Sequence, residues 1–236
     1  MPNISVILAA AGSSSRFRHP TEKKPFIKLG QKAVWLHSAE VLLKRGDVKQ
    51  LIIVVSAEDK EEFMARFGPN VVVLDLDVVT GGKERSDSIA NALDAVDSKS
   101  DWILIHDAAR PCIDDRLIDR VVVAAEKSGA AIPAIPVSST LKRSADGVNI
   151  ESTVDRTNLY QAQTPQVFRR SLLVDAFTNR DPEAAPTDEA QLLEQQGIPV
   201  TMVEGSPLNL KITHQADLSF ARACLNALPK PKPGFF

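Results

Sequence analysis

Four short stretches of this chain hold the residue types that handle polyphosphates. The apolar run that begins at Ile4 stops in Ala10-Ala11-Gly12-Ser13-Ser14-Ser15, a turn of small residues that ends on the fixed charge of Arg16. Lys23-Lys24-Pro25 puts further positive charge within reach. Backbone N–H groups in such a turn, flanked by Arg and Lys, are suited to the oxygens of a triphosphate. Gly81-Gly82 precedes Asp87-Ser88 at the start of a helical pattern. Paired glycines let the backbone approach a ligand closely, and a helix start with a serine hydroxyl can bond a base, ribose or phosphate. His106-Asp107-Ala108-Ala109-Arg110-Pro111 follows the most apolar strand. A carboxylate at a strand end suits Mg²⁺, which takes one or two carboxylates and completes its shell with phosphate oxygens and water. Arg110 beside it can clamp a phosphate with two donors. These stretches point to nucleotide-dependent chemistry.

Each has an ordinary reading as well. The first loop could be a polar turn, Gly81-Gly82 a loop before a capped helix, and Asp107 with Arg110 a salt-bridged corner. With Gly12 as its only glycine the first loop fails G-x-G-x-x-G, and no G-K-[ST] follows, so neither the dinucleotide fingerprint nor a P-loop is present. Arg156 and Thr164 have the shape of a phosphate-binding pair, though an Arg156–Asp155 surface bridge would look identical. Thr187-Asp188-Glu189-Ala190 reads as a helix start whose acids complement the dipole. Lys211 is a cation on a late strand that could return to the site. His106 reads as a packed strand-end residue rather than a base, and Cys112 as a bystander.

The elements that must position these residues follow from periodicity. Apolar runs at 4–10, 51–56, 71–74, 102–106 and 130–136 read as buried strands. The intervening 34–44, 57–67, 86–96 and 114–127 have apolar residues near a 3.6 period and read as helices. Asp114 or Asp115 is the expected N-cap of the last, and Gly129 its stop. Strands too apolar to face water, alternating with helices, imply an α/β fold with a mainly parallel, Rossmann-like sheet covered on both faces. Ligands of such sheets bind beyond the carboxyl ends of the strands. From 140 to 151 an Asp-Gly pair between alternating flanks reads as a β-hairpin. It is too polar to be stable alone, so 137–158 is expected to protrude as an arm that packs on a second subunit. Helices near 169–178 and 187–196, strands at 199–203 and 208–212, and a helix over about 214–228 complete a single domain over 1–228. The Pro-Lys run in 229–236 is expected to be a loose tail.

Composition narrows the classes. The 236 residues are 44% hydrophobic, enough for one sizeable core, and the net charge of −2 argues against a nucleic-acid partner. Two cysteines far apart make neither a disulfide framework nor a zinc site and fit a reducing compartment. No apolar stretch approaches the roughly 18 residues of a membrane span, and no basic segment precedes the first apolar run. A cytoplasmic protein with no membrane contact is the expectation.

Taken in order, the motifs resemble the 2-C-methyl-D-erythritol 4-phosphate cytidylyltransferases of the non-mevalonate isoprenoid pathway. The matching residues are Ala10-Ala11-Gly12 with Arg16, Lys24-Pro25-Phe26, Gly81-Gly82-x-Glu84-Arg85-x-Asp87-Ser88 and His106 through Pro111. Thr153-Val154-Asp155-Arg156, Leu159 through Gln166, Thr187 through Ala190 and Asn209-x-Lys211 continue the match, which runs from about residue 4 to 225. The resemblance implies a nucleotidyltransferase fold and the reaction of CTP with a polyol phosphate, with Mg²⁺, by direct in-line attack. It implies that Arg16, Lys24 and Lys211 are catalytic and that Asp107 holds the metal. Ala10, Ala11, Gly12, Gly82, Asp87 and Ser88 would then recognise cytosine and ribose, and Arg110, Thr140, Arg156 and Thr164 the acceptor. It also implies a homodimer in which the arm carries Thr140 and Arg156 to the neighbour's site. The chain departs from many members at Ser13-Ser14-Ser15, where Gly and Arg are common, and at Ser138-Ser139, where Arg-Asp or Asp-Asp is common. A ribitol-5-phosphate cytidylyltransferase is the alternative within the class, and a catalytically silent nucleotide sensor the alternative outside it.

Overall fold

The computed structural model describes residues 2–12, 17, 23–181 and 186–229. β1 (Ile4–Ala9) is followed by a small hairpin, β2 (Lys28–Leu29) and β3 (Lys32–Ala33), and by α1 (Val34–Leu43). Then β4 (Val48–Val55), α2 (Lys60–Val73), β5 (Asp77–Thr80), α3 (Arg85–Leu93), β6 (Trp102–Asp107), α4 (Asp115–Ser128) and β7 (Ala130–Pro136) alternate. β8 (Leu141–Arg143) and β9 (Ser152–Val154) form the arm, and β10 (Tyr160–Ala162), β11 (Gln166–Arg169) and α5 (Arg170–Thr178) return from it. α6 (Glu189–Gln195), β12 (Thr201–Glu204) and α7 (Asp217–Ala227) end the described chain.

The main sheet runs β10-β7-β11-β6-β1-β4-β5, with β12 also beside β7. β1 is parallel to both β4 and β6, β4 to β5, and β12 to β7. β11 enters antiparallel between β6 and β7, and β10 is antiparallel to β7. Side chains on a strand alternate between faces, and here both faces are apolar. Val6, Leu8, Leu51, Ile53 and Leu104 join one core with α1, α2 and α4. Ile7, Ile52, Val54, Ile103 and Ile105 join a second with α3, α5 and α6. A sheet buried on both sides is what the unbroken apolar runs require. α4 is bounded as its sequence specifies: the Asp114 side chain accepts from the Leu117 N–H at 2.8 Å, and Gly129 stops the helix at φ 90°.

Two expected strands are not strands. Residues 71–74 are the last turn of α2 and its cap, because Val71 continues the Phe63-Phe67 stripe at helical spacing into the core. The Gly68-Pro69 pair favours ending the helix, and packing of that stripe overrides it; Val72 and Val73 are left exposed. The strand itself comes later, at β5. Residues 208–212 are irregular, held at one end by the Ile212 N–H donating to the Ala109 carbonyl at 2.9 Å. The arm pairs farther back than expected, Leu141 with Val154 and Arg143 with Ser152. The Asp-Gly pair sits within a long connection, where Asp146 accepts from the Val148 and Asn149 N–H groups at 2.8 Å. Residues 230–236, the expected tail, lie outside the described residues.

Candidate functional site

β1 is the pivot of the sheet. Its Ala9 stands level with Val54 of β4 on one side and with Asp107 of β6 on the other. The connections leave in opposite directions from this point, so the carboxyl ends of the strands open a crevice, the usual ligand position of an open α/β sheet. A cavity of about 370 Å³ lies there. It is lined by Ala9, Ala10, Ala11 and Gly12 after β1, by Val54, by Gly82, Glu84, Arg85 and Ser88 around the start of α3, and by Lys24, Asp107 and Lys211.

The loop before α1 positions Lys24. The first N–H groups of a helix have no partner within it. Here Val34 donates to the Ile27 carbonyl and Trp35 to the Pro25 carbonyl, both at 3.0 Å. Phe26, between them, packs on Phe63 with ring centroids 5.4 Å apart. Of the adjacent lysines, Lys23 turns away to Asp59 at 2.7 Å, while Lys24 lines the cavity.

Gly81 and Gly82 are glycines by necessity. A Cβ on Gly81 would lie 2.8 Å from the Ala11 Cβ, and one on Gly82 would lie 2.4 Å from the Asp87 Cβ. The Ser88 hydroxyl accepts from the Gly82 N–H at 3.1 Å and donates to the Glu84 carbonyl at 3.0 Å, fixing this loop on the start of α3. Gly12 differs: a Cβ there would meet nothing within 4 Å, so packing does not require glycine at this position.

Charge converges on Asp107. Its Oδ2 lies 2.8 Å from the Lys211 Nζ and 3.4 Å from the Arg110 Nε, and its Oδ1 lies 3.7 Å from the Arg85 Nη2. Burial alone would raise this carboxyl, but Lys211, Arg85 and Arg110 outweigh it and hold it well below the usual carboxylate range. Arg85 is fixed from behind by Glu189, which is 2% exposed and accepts from both of its terminal nitrogens. Burial raises the Glu189 carboxyl above its ordinary value, against the pull of Arg85.

Beneath Asp107 the proton positions are determined. Its N–H donates to the Thr164 hydroxyl at 3.0 Å. His106 Nε2 faces the Arg110 carbonyl at 3.0 Å and must donate to it, so in the neutral ring Nδ1 accepts from the Thr164 hydroxyl, also at 3.0 Å. The ring is neutral, and burial pushes its pKa down to about 4. An unfolded chain binds this proton below about pH 6.5, so stability is present above that pH and is lost as pH falls towards 4. Wild-type protein should lose about 2 kcal/mol between pH 6.5 and 5. Urea unfolding at the two pH values checks this, and a His106→Gln variant with an undiminished pH difference would contradict it.

Of the residues singled out from sequence, Ala10, Ala11, Gly12, Lys24, Gly82, Ser88, Asp107 and Lys211 meet in the cavity. Arg16 lies outside the described residues. Three others are committed to the protein: Asp87 to Arg180 at 2.9 Å, Thr164 to Asp107 and His106, and Arg110 to Asp107 and the Asn209 carbonyl. Asp87 is thus not a cavity-lining side chain, because its carboxylate caps α3 through the Glu84 N–H. Thr140 and Arg156 are exposed at the arm, away from this chain's own cavity. The Arg85–Glu189 pair is a feature that local sequence does not announce, since its members are 104 residues apart.

A cavity at the carboxyl ends of an open α/β sheet, with cations gathered around one carboxylate, is suited to an anionic ligand such as a nucleotide, and comparison with known proteins defines the class as that of a nucleotidyltransferase. The sequence model of 2-C-methyl-D-erythritol 4-phosphate cytidylyltransferase matches residues 4–227. Over 236 residues the chain is 41% identical to a protein of that name from Rhodopirellula baltica, covering 95% of each. It is 39% identical to a bifunctional enzyme IspD/IspF from Desulfotalea psychrophila, covering 98% of this chain and 59% of that longer one. The crystal structure of 2-C-methyl-D-erythritol 4-phosphate cytidylyltransferase from Thermus thermophilus matches with a TM-score of 0.77 at 30% identity, over 96% of this chain and 100% of that one. The chain belongs to the 2-C-methyl-D-erythritol 4-phosphate cytidylyltransferase family.

Proposed function

We propose that this protein transfers the cytidylyl group of CTP to the phosphate of 2-C-methyl-D-erythritol 4-phosphate. The observation that carries the reading is the meeting of Lys24, Lys211 and Asp107 in one cavity with Ala10, Ala11 and Gly12. An acceptor phosphate is already an anion, so its attack needs no general base, consistent with a neutral, fully engaged His106. An acceptor phosphate oxygen bonds to the α-phosphorus of CTP while the bond to the bridging oxygen breaks, and pyrophosphate leaves with that electron pair. What the protein supplies is positioning and relief of anion–anion repulsion. Lys24 and Lys211 have that role here, with Arg16 as a third cation.

The donor set also fits Mg²⁺. Among the described residues no group of three or more His, Cys, Asp or Glu side chains could hold a metal alone. A single carboxylate in the cavity matches an ion that arrives with most of its shell supplied by triphosphate and water. Asp107 would hold it, and the bound ion would neutralise charge on the triphosphate. Ala10, Ala11, Gly12, Gly82 and Ser88 would contact cytosine and ribose, with Asp87 shaping their loop.

Thr140 and Arg156 stand exposed on an arm that has its own two-stranded sheet and no core, and Val148 and Ile150 are exposed beside its turn. Arm exchange in a homodimer would cover this surface and bring both residues to the neighbour's acceptor phosphate. Among the described residues no helix is long and apolar enough to cross a membrane, which accords with a cytoplasmic enzyme. The test is pyrophosphate release from CTP and Mg²⁺ with methylerythritol phosphate and, separately, with ribitol 5-phosphate. Release with the first alone is expected; release with ribitol phosphate alone would overturn the acceptor.

A further inference from the structure

We propose that Glu189 is a positioning residue that holds Arg85 off Asp107 and so keeps the outer oxygen of that carboxylate available to a divalent cation. The proposal rests on the reading of Asp107 as the metal-binding residue. Glu189 is buried at the first turn of α6, behind Arg85 as seen from the cavity, and accepts from both terminal guanidinium nitrogens. The nitrogen nearest Asp107, Arg85 Nη2, is the one that donates to Glu189 Oε2 at 3.0 Å; it stands 3.7 Å from Asp107 Oδ1, beyond hydrogen-bond reach. The other oxygen of Asp107 is already engaged by Lys211 and Arg110. Oδ1 is therefore the oxygen on which an incoming cation and Arg85 compete, and Glu189 decides that competition.

The supporting structure is rigid enough to do this. Asp188 caps α6, accepting from the Gln191 N–H at 2.9 Å and from Gln166 Nε2 at 2.9 Å. Gln166 lies on β11 opposite Ile105 of β6, two residues before Asp107. Glu189 and Asp107 are thus carried by elements tied to each other through the sheet, and Arg85 is held between them.

Charge gives the same answer as geometry. Lys211, Arg110 and Arg85 face Asp107, and without Glu189 the group would carry two excess positive charges instead of one. A more positive site attracts a bare triphosphate and repels a divalent cation. Loss of the Glu189 charge should therefore move two affinities in opposite directions, which a loss of fold would not do.

The experiment is calorimetric titration with α,β-methylene CTP, which cannot release pyrophosphate, in EDTA and again with Mg²⁺. For Glu189→Gln we expect metal-free binding to tighten by roughly threefold and the gain in affinity on adding Mg²⁺ to fall about tenfold. In the double variant Arg85→Gln/Glu189→Gln the charge balance around Asp107 is restored, and the gain in affinity on adding Mg²⁺ should return to within about twofold of wild type. Weakening of both affinities together, no change in either, or a double variant as impaired as the single one would overturn the proposal. Should Glu189→Gln not fold, the double variant decides: it must keep the wild-type Mg²⁺ gain. A wild-type protein with no Mg²⁺ gain at all would instead remove the metal reading, and the proposal with it.

Discussion

Lys24→Ala is expected to lower kcat by about two orders of magnitude, roughly 3 kcal/mol of transition-state stabilisation, with the fold intact. The loop that carries Lys24 is fixed by backbone carbonyls to the start of α1 and by Phe26 to Phe63. Those anchors are backbone and Phe26 contacts that the variant keeps, and a thermal unfolding curve is the control that separates loss of the charge from loss of the loop. Negative charge on the phosphorus and the leaving group grows as the reaction proceeds, and a cation placed in the cavity stabilises the transition state more than bound CTP. The loss should therefore appear in kcat; a variant in which KM alone rises would show that Lys24 only binds the nucleotide. The same variant reads the arm. If the arm is exchanged as proposed, mixing with Arg156→Ala protein and allowing protomers to exchange should restore activity, since one site of the mixed dimer would then hold its own Lys24 and its neighbour's Arg156. No regain in the mixture would place Arg156 in its own chain's site or outside any site.

How far the sequence could be read depended on how local the deciding interactions are. β1, β4 and β6 declare themselves by apolar runs, and α4 by Asp114 and Gly129, because burial on both faces and helix capping act within a few residues. At 71–74 the same kind of reading fails. Three valines and a leucine look like a strand, yet Val71 is held by the helical stripe it shares with Phe63 and Phe67. That Ala10–Gly12 and Asp107 line one cavity was legible because each ends an apolar run that marks a strand, and that Gly82 and Ser88 join them because paired glycines open a helical pattern. The partners that tune them were not. Thr164 has the shape of a phosphate contact, and in the folded chain its hydroxyl also joins Asp107 to His106 across 58 residues. Arg110 reads as a phosphate clamp, and in the folded chain it also braces the Asn209 carbonyl that precedes Lys211 by two positions. Glu189 reads as a helix-dipole residue, whereas Arg85 makes it part of the site. Contacts that long are set by topology, which periodicity does not record.

Asp107→Asn should cost still more, about two to three orders of magnitude in kcat/KM, and the form of the loss separates two roles for this residue. One role is electrostatic anchoring: Lys211 is held 2.8 Å from the carboxylate, and the amide would release it while leaving Lys211, Arg110 and Arg85 with Glu189, paired to Arg85, as the one acid left in the group. Breaking a buried ion pair from one side costs about 3–5 kcal/mol, so a lower unfolding temperature is expected under either role and does not discriminate. The other role is metal binding. If Asp107 holds Mg²⁺ against the triphosphate, the variant should need far more Mg²⁺ for half-maximal rate and should recover part of its activity as Mg²⁺ is raised. If it only anchors Lys211, the Mg²⁺ dependence should be that of wild type while the maximal rate stays low. The expected result is the first. An amide oxygen is a weaker ligand for a hard divalent ion than a carboxylate, and the freed cations repel the ion from the one place where the triphosphate could deliver it. A wild-type Mg²⁺ half-saturation in Asp107→Asn would leave Asp107 as the anchor of Lys211 alone and would require the ion to be bound by the triphosphate without help from this residue.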